Sequence, residues 1–385
     1  MLRFLTAGES HGESLIAILE GLPAGLEVSS NQINVELARR QKGYGRGKRM
    51  EIESDKVEFF SGLRGGRTLG SPLAMRIRNR DWENWQNTMG PEGRNSDSRS
   101  VTSPRPGHAD LAGGIKYGHK DFRNILERAS ARETAARVAV GSVSKILLER
   151  CGVTVGGHVV SIGGSAPSKA EFKRSVESVA AEKSPVRCLD NTVEKEMIDL
   201  IDNAMEDGET LGGVFEIKAF DVPVGLGSHV HWDRRLDSDL ASAIMSIPAI
   251  KGVQIGSGFG GAQLPGSSVH DAIFYDKVKG FYRETNNAGG IEGGISNGET
   301  IVLSAAMKPI PTLMSPLGSV HFLSKRKVDA AVERSDVTAV PAACVIGESM
   351  VAFVLAKHMC EKFGGDSVDE MSHNLEAYKD YVRKL

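Results

Sequence analysis

Two histidines stand on segments too rich in glycine and proline for regular structure. His11 lies in Gly8-Glu9-Ser10-His11-Gly12, and His108 closes Pro104-Arg105-Pro106-Gly107-His108. Imidazole is the side chain best suited to exchanging protons near neutral pH, and loops fixed on rigid scaffolds are where catalytic groups concentrate. Cations gather around both. Arg39 to Arg49 holds six Lys and Arg, no acid, and interleaved glycines, so its backbone N–H groups and guanidinium forks could wrap an anion. Arg99 to Arg137 carries eight Lys and Arg against four Asp and Glu. Lys308 with Arg334 forms a third group, and Asp336 stands beside it. Imidazoles in a cationic pocket suit general acid catalysis on an anionic substrate. Each guanidinium on a phosphate would add about 1.5–3 kcal/mol. These residues point to an enzyme for a phosphorylated, carboxylated small molecule without giving the reaction. A solvated helix face would equally account for Arg128, Arg132 and Arg137, and the basic loop could bind RNA, although Tyr44 alone offers little base stacking.

The elements that must position these groups follow from periodicity. Ala129, Ala135, Ala136, Ala139, Val143, Ile146 and Leu147 recur at helical spacing, which predicts a long helix whose alanine face admits another backbone closely. Arg128 and Arg132, four apart, are expected on one side of it. Ser29 with Gln32 predicts a capping box for a helix to about Gln41, stopped by Gly43. Strands are expected at 2–6, 15–22, 73–77, 212–219 and 300–305, and a strand pair within 152–162. The 81–99 segment reads as a surface loop pinned by Trp82 and Trp85. Leu236, Leu240, Ile244 and Ile247 mark a helix that Pro248 closes. Gly256 to Gly261 matches GxGxxG, but Ala262-Gln263-Leu264-Pro265 cannot open the helix a dinucleotide site needs, so that reading is rejected. The glycine-rich run from Asn286 to Gly298 must bring backbone close to something. The apolar segment 339–356 reads as a buried helix, not a membrane span, and 366–385 as a C-terminal helix.

Composition limits the classes. A net charge of −2 argues against bulk nucleic-acid binding. Four cysteines without paired spacing and a start lacking a signal-like apolar core are expected of a reduced, cytoplasmic protein. His229 and His231 have no ligand partners at metal spacing, and no metal is expected. A length of 385 residues alone would suggest two or three domains.

Seven runs together carry a resemblance: TAGESHG (6–12), RRQKGYGRGKRM (39–50), RPGHAD (105–110), ERASARET (127–134), NNAGGIEGGISNG (286–298), MKPIPT (307–312) and RSDVTAVPAA (334–343). In order and nearly across the chain, they resemble those of the chorismate synthase family. The resemblance implies an α/β fold, a single-domain β-α-β sandwich over 1–385 with a helical core. It also implies a lyase that removes phosphate from 5-enolpyruvylshikimate 3-phosphate by 1,4-elimination to give chorismate, the last common step toward aromatic amino acids. Reduced FMN would be required without net oxidation. Carried over, His11 would protonate the departing phosphate, His108 would sit by the flavin N1/C2 carbonyl, and Asp336 would act in the C6 deprotonation. Ser10, Arg40, Arg46, Arg49, Arg105, Arg132 and Arg334 would hold substrate. Ser130, Ala131, Arg132, Pro248, Ala249, Gly293, Lys308, Pro309, Ile310, Pro311, Thr312 and Arg334 would line the flavin, and Arg40 and Arg46 are the family's NADP positions. Family members are homotetramers, and some rely on an external flavin reductant. A non-catalytic anion- or RNA-binding protein and an FMN oxidoreductase are the competing classes. The first predicts salt-sensitive nucleic-acid affinity, the second net NAD(P)H consumption.

Overall fold

The computed structural model describes residues 1–47, 54–92, 97–174, 176–278, 280–333 and 335–385. The N-terminal third gives strands β1 (Arg3–Ala7) and β2 (Ser14–Glu20), helix α1 (Ser30–Gln41), then β3 (Val57–Ser61) and β4 (Leu73–Arg78). Helices α2 (Asp110–Tyr117), α3 (Arg123–Ala129) and α4 (Thr134–Arg150) follow. Next come β5 (Thr154–Ile162), α5 (Val176–Lys183), α6 (Asn191–Glu206) and β6 (Gly213–Phe220). Helix α7 (Leu236–Met245), β7 (Ile250–Ile255), β8 (Ile301–Met307), α8 (Val340–Phe363) and α9 (Val368–Arg383) complete the main elements.

Among the described residues, two four-stranded antiparallel sheets sandwich the helices, in the orders β1-β2-β4-β3 and β5-β6-β8-β7. Each strand reads its side from alternation. In β2, Leu15, Ala17 and Leu19 are buried while Ile16 and Ile18 face outward. Helix α4 packs on the first sheet and α8 on the second, and the two helices pack on each other. Where they cross, a Cβ on Gly141 would stand 2.3 Å from the Ser349 Cβ. The small-residue face of α4 thus admits a second backbone, as its sequence predicts. Filling that space would cost about 1–3 kcal/mol. Helix α8 is long and apolar enough to cross a membrane, yet its apolar stretch is packed almost wholly inside the fold.

Three expectations are corrected. Arg128 and Arg132 do not share a helix face. Ser130 is extended (φ −63°, ψ 142°) and its hydroxyl accepts from the Arg132 N–H, ending α3 and starting a separate turn. Arg128 instead lies exposed, donating to the Thr6 and Gly8 carbonyls. The 152–162 segment is one nine-residue strand, not a pair. Within 81–99, short helical turns run over Arg80–Asn84 and Gln86–Met89, because Trp85 is buried and fixes them. The expected capping box is present, with the Ser29 and Gln32 side chains each bonded to the other's backbone.

Candidate active site

The loop bearing Ser10 and His11 is held from two directions. Asn79 donates to the carbonyls of Glu9 (3.1 Å) and Gly12 (2.6 Å). Glu127, on α3, accepts from the His11 peptide N–H (2.8 Å) and from ring Nδ1 (2.9 Å). A ring nitrogen facing a carboxylate carries the proton, so the bond to Glu127 fixes the tautomer and orientation of His11. The imidazole also stacks on Trp85, with centroids 3.8 Å apart and planes 25° from parallel. Arg99 lies 3.9 Å from the Trp85 ring centroid. Burial would raise the Glu127 carboxyl, but hydrogen bonds from His11 and Arg123 hold it below its ordinary 4.5.

Behind this loop lies a buried Arg–Asp–Arg group. Arg132 donates from Nε to Asn79 (2.9 Å) and from Nη1 to Asp55 (2.6 Å). Arg40 donates from Nη2 to the other Asp55 oxygen (2.9 Å). Arg40 is buried, and its Nε finds no hydrogen-bond partner among the described residues. Burial, then the charges of Arg132 and Arg46, hold the Arg40 guanidinium below its ordinary value although Asp55 opposes them. Asp55 itself is held below 3.8: burial would raise it, and the two guanidiniums outweigh that. Ser130 donates to Ser10 (3.2 Å), closing the ring of expected substrate residues.

Asp336 is docked on the glycine-interleaved loop. It accepts from the Gly47 N–H (2.7 Å) and pairs with Arg46 (3.2 Å), while the Val337 N–H donates to the Gly45 carbonyl (2.8 Å). A Cβ on Gly45, at φ +76°, would meet Ile201 at 2.8 Å, so this turn needs glycine on both counts.

His108 sits in a second cluster. Its Nδ1 donates to Asp110 (2.5 Å), and Arg105 grips the same carboxylate through Nε (2.9 Å) and Nη2 (3.1 Å). Arg105 Nη1 reaches the Thr312 hydroxyl (3.0 Å), and Lys308 donates to the Gly107 carbonyl (2.8 Å). The 307–312 turn is thereby tied to the His108 loop. The Lys308 N–H in turn donates to the carbonyl of Ala249, a non-glycine residue at φ +69°. Burial raises the Asp110 carboxyl, yet bonds from His108 and Arg105 hold it far below 3.8. Burial and the nearby Lys251 charge lower Lys308.

Residues 210–211 link the 307–312 turn to the Asp336 segment: the Thr210 hydroxyl donates to the Ile310 carbonyl and the Leu211 N–H to the Val337 carbonyl, while the Val337 N–H reaches Gly45. Gly293 stands apart in the tight 291–296 hairpin, joined to the start of α7 through the Leu236–Gly294 bond. About 15 Å of helix separates that start from the Pro248 end. Arg49 and Arg334 lie outside the described residues. Asp55, Asn79, Asp110, Glu127 and Trp85 were not singled out in the sequence as site residues. Asp110 and Glu127 do fall within quoted motifs, whereas Asp55 falls in none.

Carboxylate-held imidazoles beside buried guanidiniums suit a proton-transferring enzyme of small polyanions, built between the layers of a two-sheet sandwich. The comparisons narrow that class. The chorismate synthase family model matches residues 2–360. The chain is 58% identical to the chorismate synthase of Desulforamulus reducens and 57% to that of Moorella thermoacetica, each aligned over 100% of both chains. A crystal structure of chorismate synthase superposes with a TM-score of 0.81 at 46% identity, covering 100% of this chain and 99% of that one. The chain belongs to the chorismate synthase family.

Proposed function

We propose that this chain converts 5-enolpyruvylshikimate 3-phosphate to chorismate, breaking the C–O bond to phosphate and a C–H bond at C6 so that a second ring double bond forms. The reaction is redox-neutral. The observation that carries the reading is the pair of imidazoles, each fixed by its own carboxylate, with the His11 loop tied through Asn79 to the Arg40–Asp55–Arg132 group. His11, oriented by Glu127, delivers a proton to the departing phosphate. Ser10, Arg40, Arg46, Arg49, Arg105, Arg132 and Arg334 are assigned to the substrate anions, and Arg105 also braces the His108 loop. Asp336 takes part in removing the C6 proton, and His108 holds a proton beside the cofactor.

Reduced FMN supplies electron density to the breaking C–O bond when bound. The donors fit it: Lys308, Thr312, Arg105 and His108 converge through direct bonds, and Ala249 abuts the same turn. Ser130, Ala131, Arg132, Pro248, Ala249, Gly293, Lys308, Pro309, Ile310, Pro311, Thr312 and Arg334 would line it. The chain is expected to act as one unit in a cytoplasmic homotetramer. The outer face of the first sheet, with Leu5, Ile16 and Ile18 exposed, offers apolar area for assembly.

Anaerobic assays with and without pre-reduced FMN test the reading. Phosphate should leave the enolpyruvyl substrate only when the flavin is reduced, with no net NAD(P)H consumed by the elimination. Equal release without flavin, or net oxidation of NAD(P)H coupled to substrate, would overturn it.

A further inference from the structure

Beside Arg39 on α1, the chain forms a partly open cavity of about 220 Å³ walled by Arg39, Lys42, Gly43, Glu182, Lys183 and Arg187. Its floor is a charge cluster centred on Glu348, fully buried in mid-α8. Arg39, Lys145 and Arg187 converge there on Glu36, Glu182 and Glu348, three cations on three carboxylates. Glu149 also acts on Lys145 and Glu36, so the cluster itself carries no positive excess and any surplus of cations comes from the cavity wall. Lys42 and Lys183 add two further cations, and both are exposed and in no ion pair among the described residues.

Arg187 supplies an independent sign. It is 6% exposed, its backbone sits at φ +61°, and its Nε finds no hydrogen-bond partner among the described residues. A buried donor left unmatched costs about 1–3 kcal/mol, and a non-glycine residue in the left-handed region is strained as well. Such costs persist where the surroundings hold a group ready for a ligand. Two exposed lysines beside buried guanidiniums, an unmatched buried N–H and a partly open cleft define the complementary molecule by its chemistry.

We propose that this cavity is a second anion site, separate from the candidate active site, that takes a small phosphate dianion or phosphate ester between Lys42, Lys183 and Arg187. It abuts the loop that carries Arg46, since the Tyr44 N–H donates to the Pro185 carbonyl (2.8 Å).

Calorimetric titration of the full chain with inorganic phosphate, at constant ionic strength in chloride, tests this. Wild type should take two phosphates per chain. The double variant K42E/K183E alters only exposed side chains, and circular dichroism checks that it remains folded. It should keep one phosphate and weaken or lose the other by about tenfold or more, the loss of one charge-assisted bond. Arg46→Ala should do the reverse. A single site lost in K42E/K183E and kept in Arg46→Ala would uphold this proposal while counting against Arg46 as a substrate ligand. Binding unchanged in K42E/K183E, or one site that only Arg46→Ala removes, would overturn it.

Discussion

Asp55→Asn isolates the charge that lets two guanidiniums stand together in the interior. Asp55 lies 2.6 Å from Arg132 and 2.9 Å from Arg40, and all three side chains are buried. Each pair is worth about 4 kcal/mol at an effective dielectric near 20, and repulsion between the guanidiniums offsets part of the sum. Asparagine keeps the shape and one acceptor, so the loss is that of the charge. Breaking a buried pair this way costs about 3–5 kcal/mol, a large share of the roughly 5–15 kcal/mol that holds a domain folded. Equilibrium urea unfolding at neutral pH measures it. Two further signs follow. Because the Asp55 carboxyl is held below 3.8, its contribution is complete above that pH and is lost as pH falls through the folded value; the gap between wild type and variant should close in acid. Phosphate should stabilise the variant more than the wild type, since an anion can replace the missing charge, with about 2.7 kcal/mol available at a hundred times its Kd. A loss below about 1 kcal/mol, with no added phosphate dependence, would refute the reasoning.

The remaining predictions concern the two imidazole sites and one buried histidine. His108→Ala should lower turnover by about 10²–10⁴-fold with substrate affinity nearly intact; wild-type turnover would remove His108 from its role. Glu127→Gln keeps the volume but not the charge that holds His11, and should lower kcat by about 10²-fold more than it raises KM. An unchanged kcat would mean that the bond to His11 is only structural. His158 is stacked on Phe172, its Nδ1 finds no hydrogen-bond partner among the described residues, and burial pushes its pKa down to about 4. Its neutral form therefore stabilises the fold fully above pH 6.5, and that stability drains away as pH falls toward 4, by up to about 3 kcal/mol at 1.36 kcal/mol per pKa unit. His158→Leu should flatten unfolding free energy across that window, and an unaltered slope would show that another group titrates there.

What could be read from the sequence divides along the range of the interactions. The α1 capping box, the alanine face of α4, the Pro248 stop and the buried run of α8 are written within one or two turns of chain, and each is found. The rejected glycine fingerprint agrees too, since β7 is followed by two isolated single turns, Gly258–Gly261 and Gly266–Val269. Arg128 and Arg132 mislead because Ser130-Ala131-Arg132-Glu133 itself reads as a cap, a signal the four-residue spacing conceals. The carboxylates are different. Asp55 meets Arg132 across 77 positions and Glu127 meets His11 across 116, and no local pattern encodes a partner that distant. Sequence thus exposes the cations and imidazoles, which act on the ligand, and Asp110 two residues from His108, while the distant acids Asp55 and Glu127 take their roles only once the chain is folded. A cationic site dense enough to seize a polyanion cannot be buried without those acids, because unpaired interior charge would cost more than the fold has to spare. The hidden carboxylates are therefore a physical requirement of the visible arginines, and they set how much positive charge remains for the substrate.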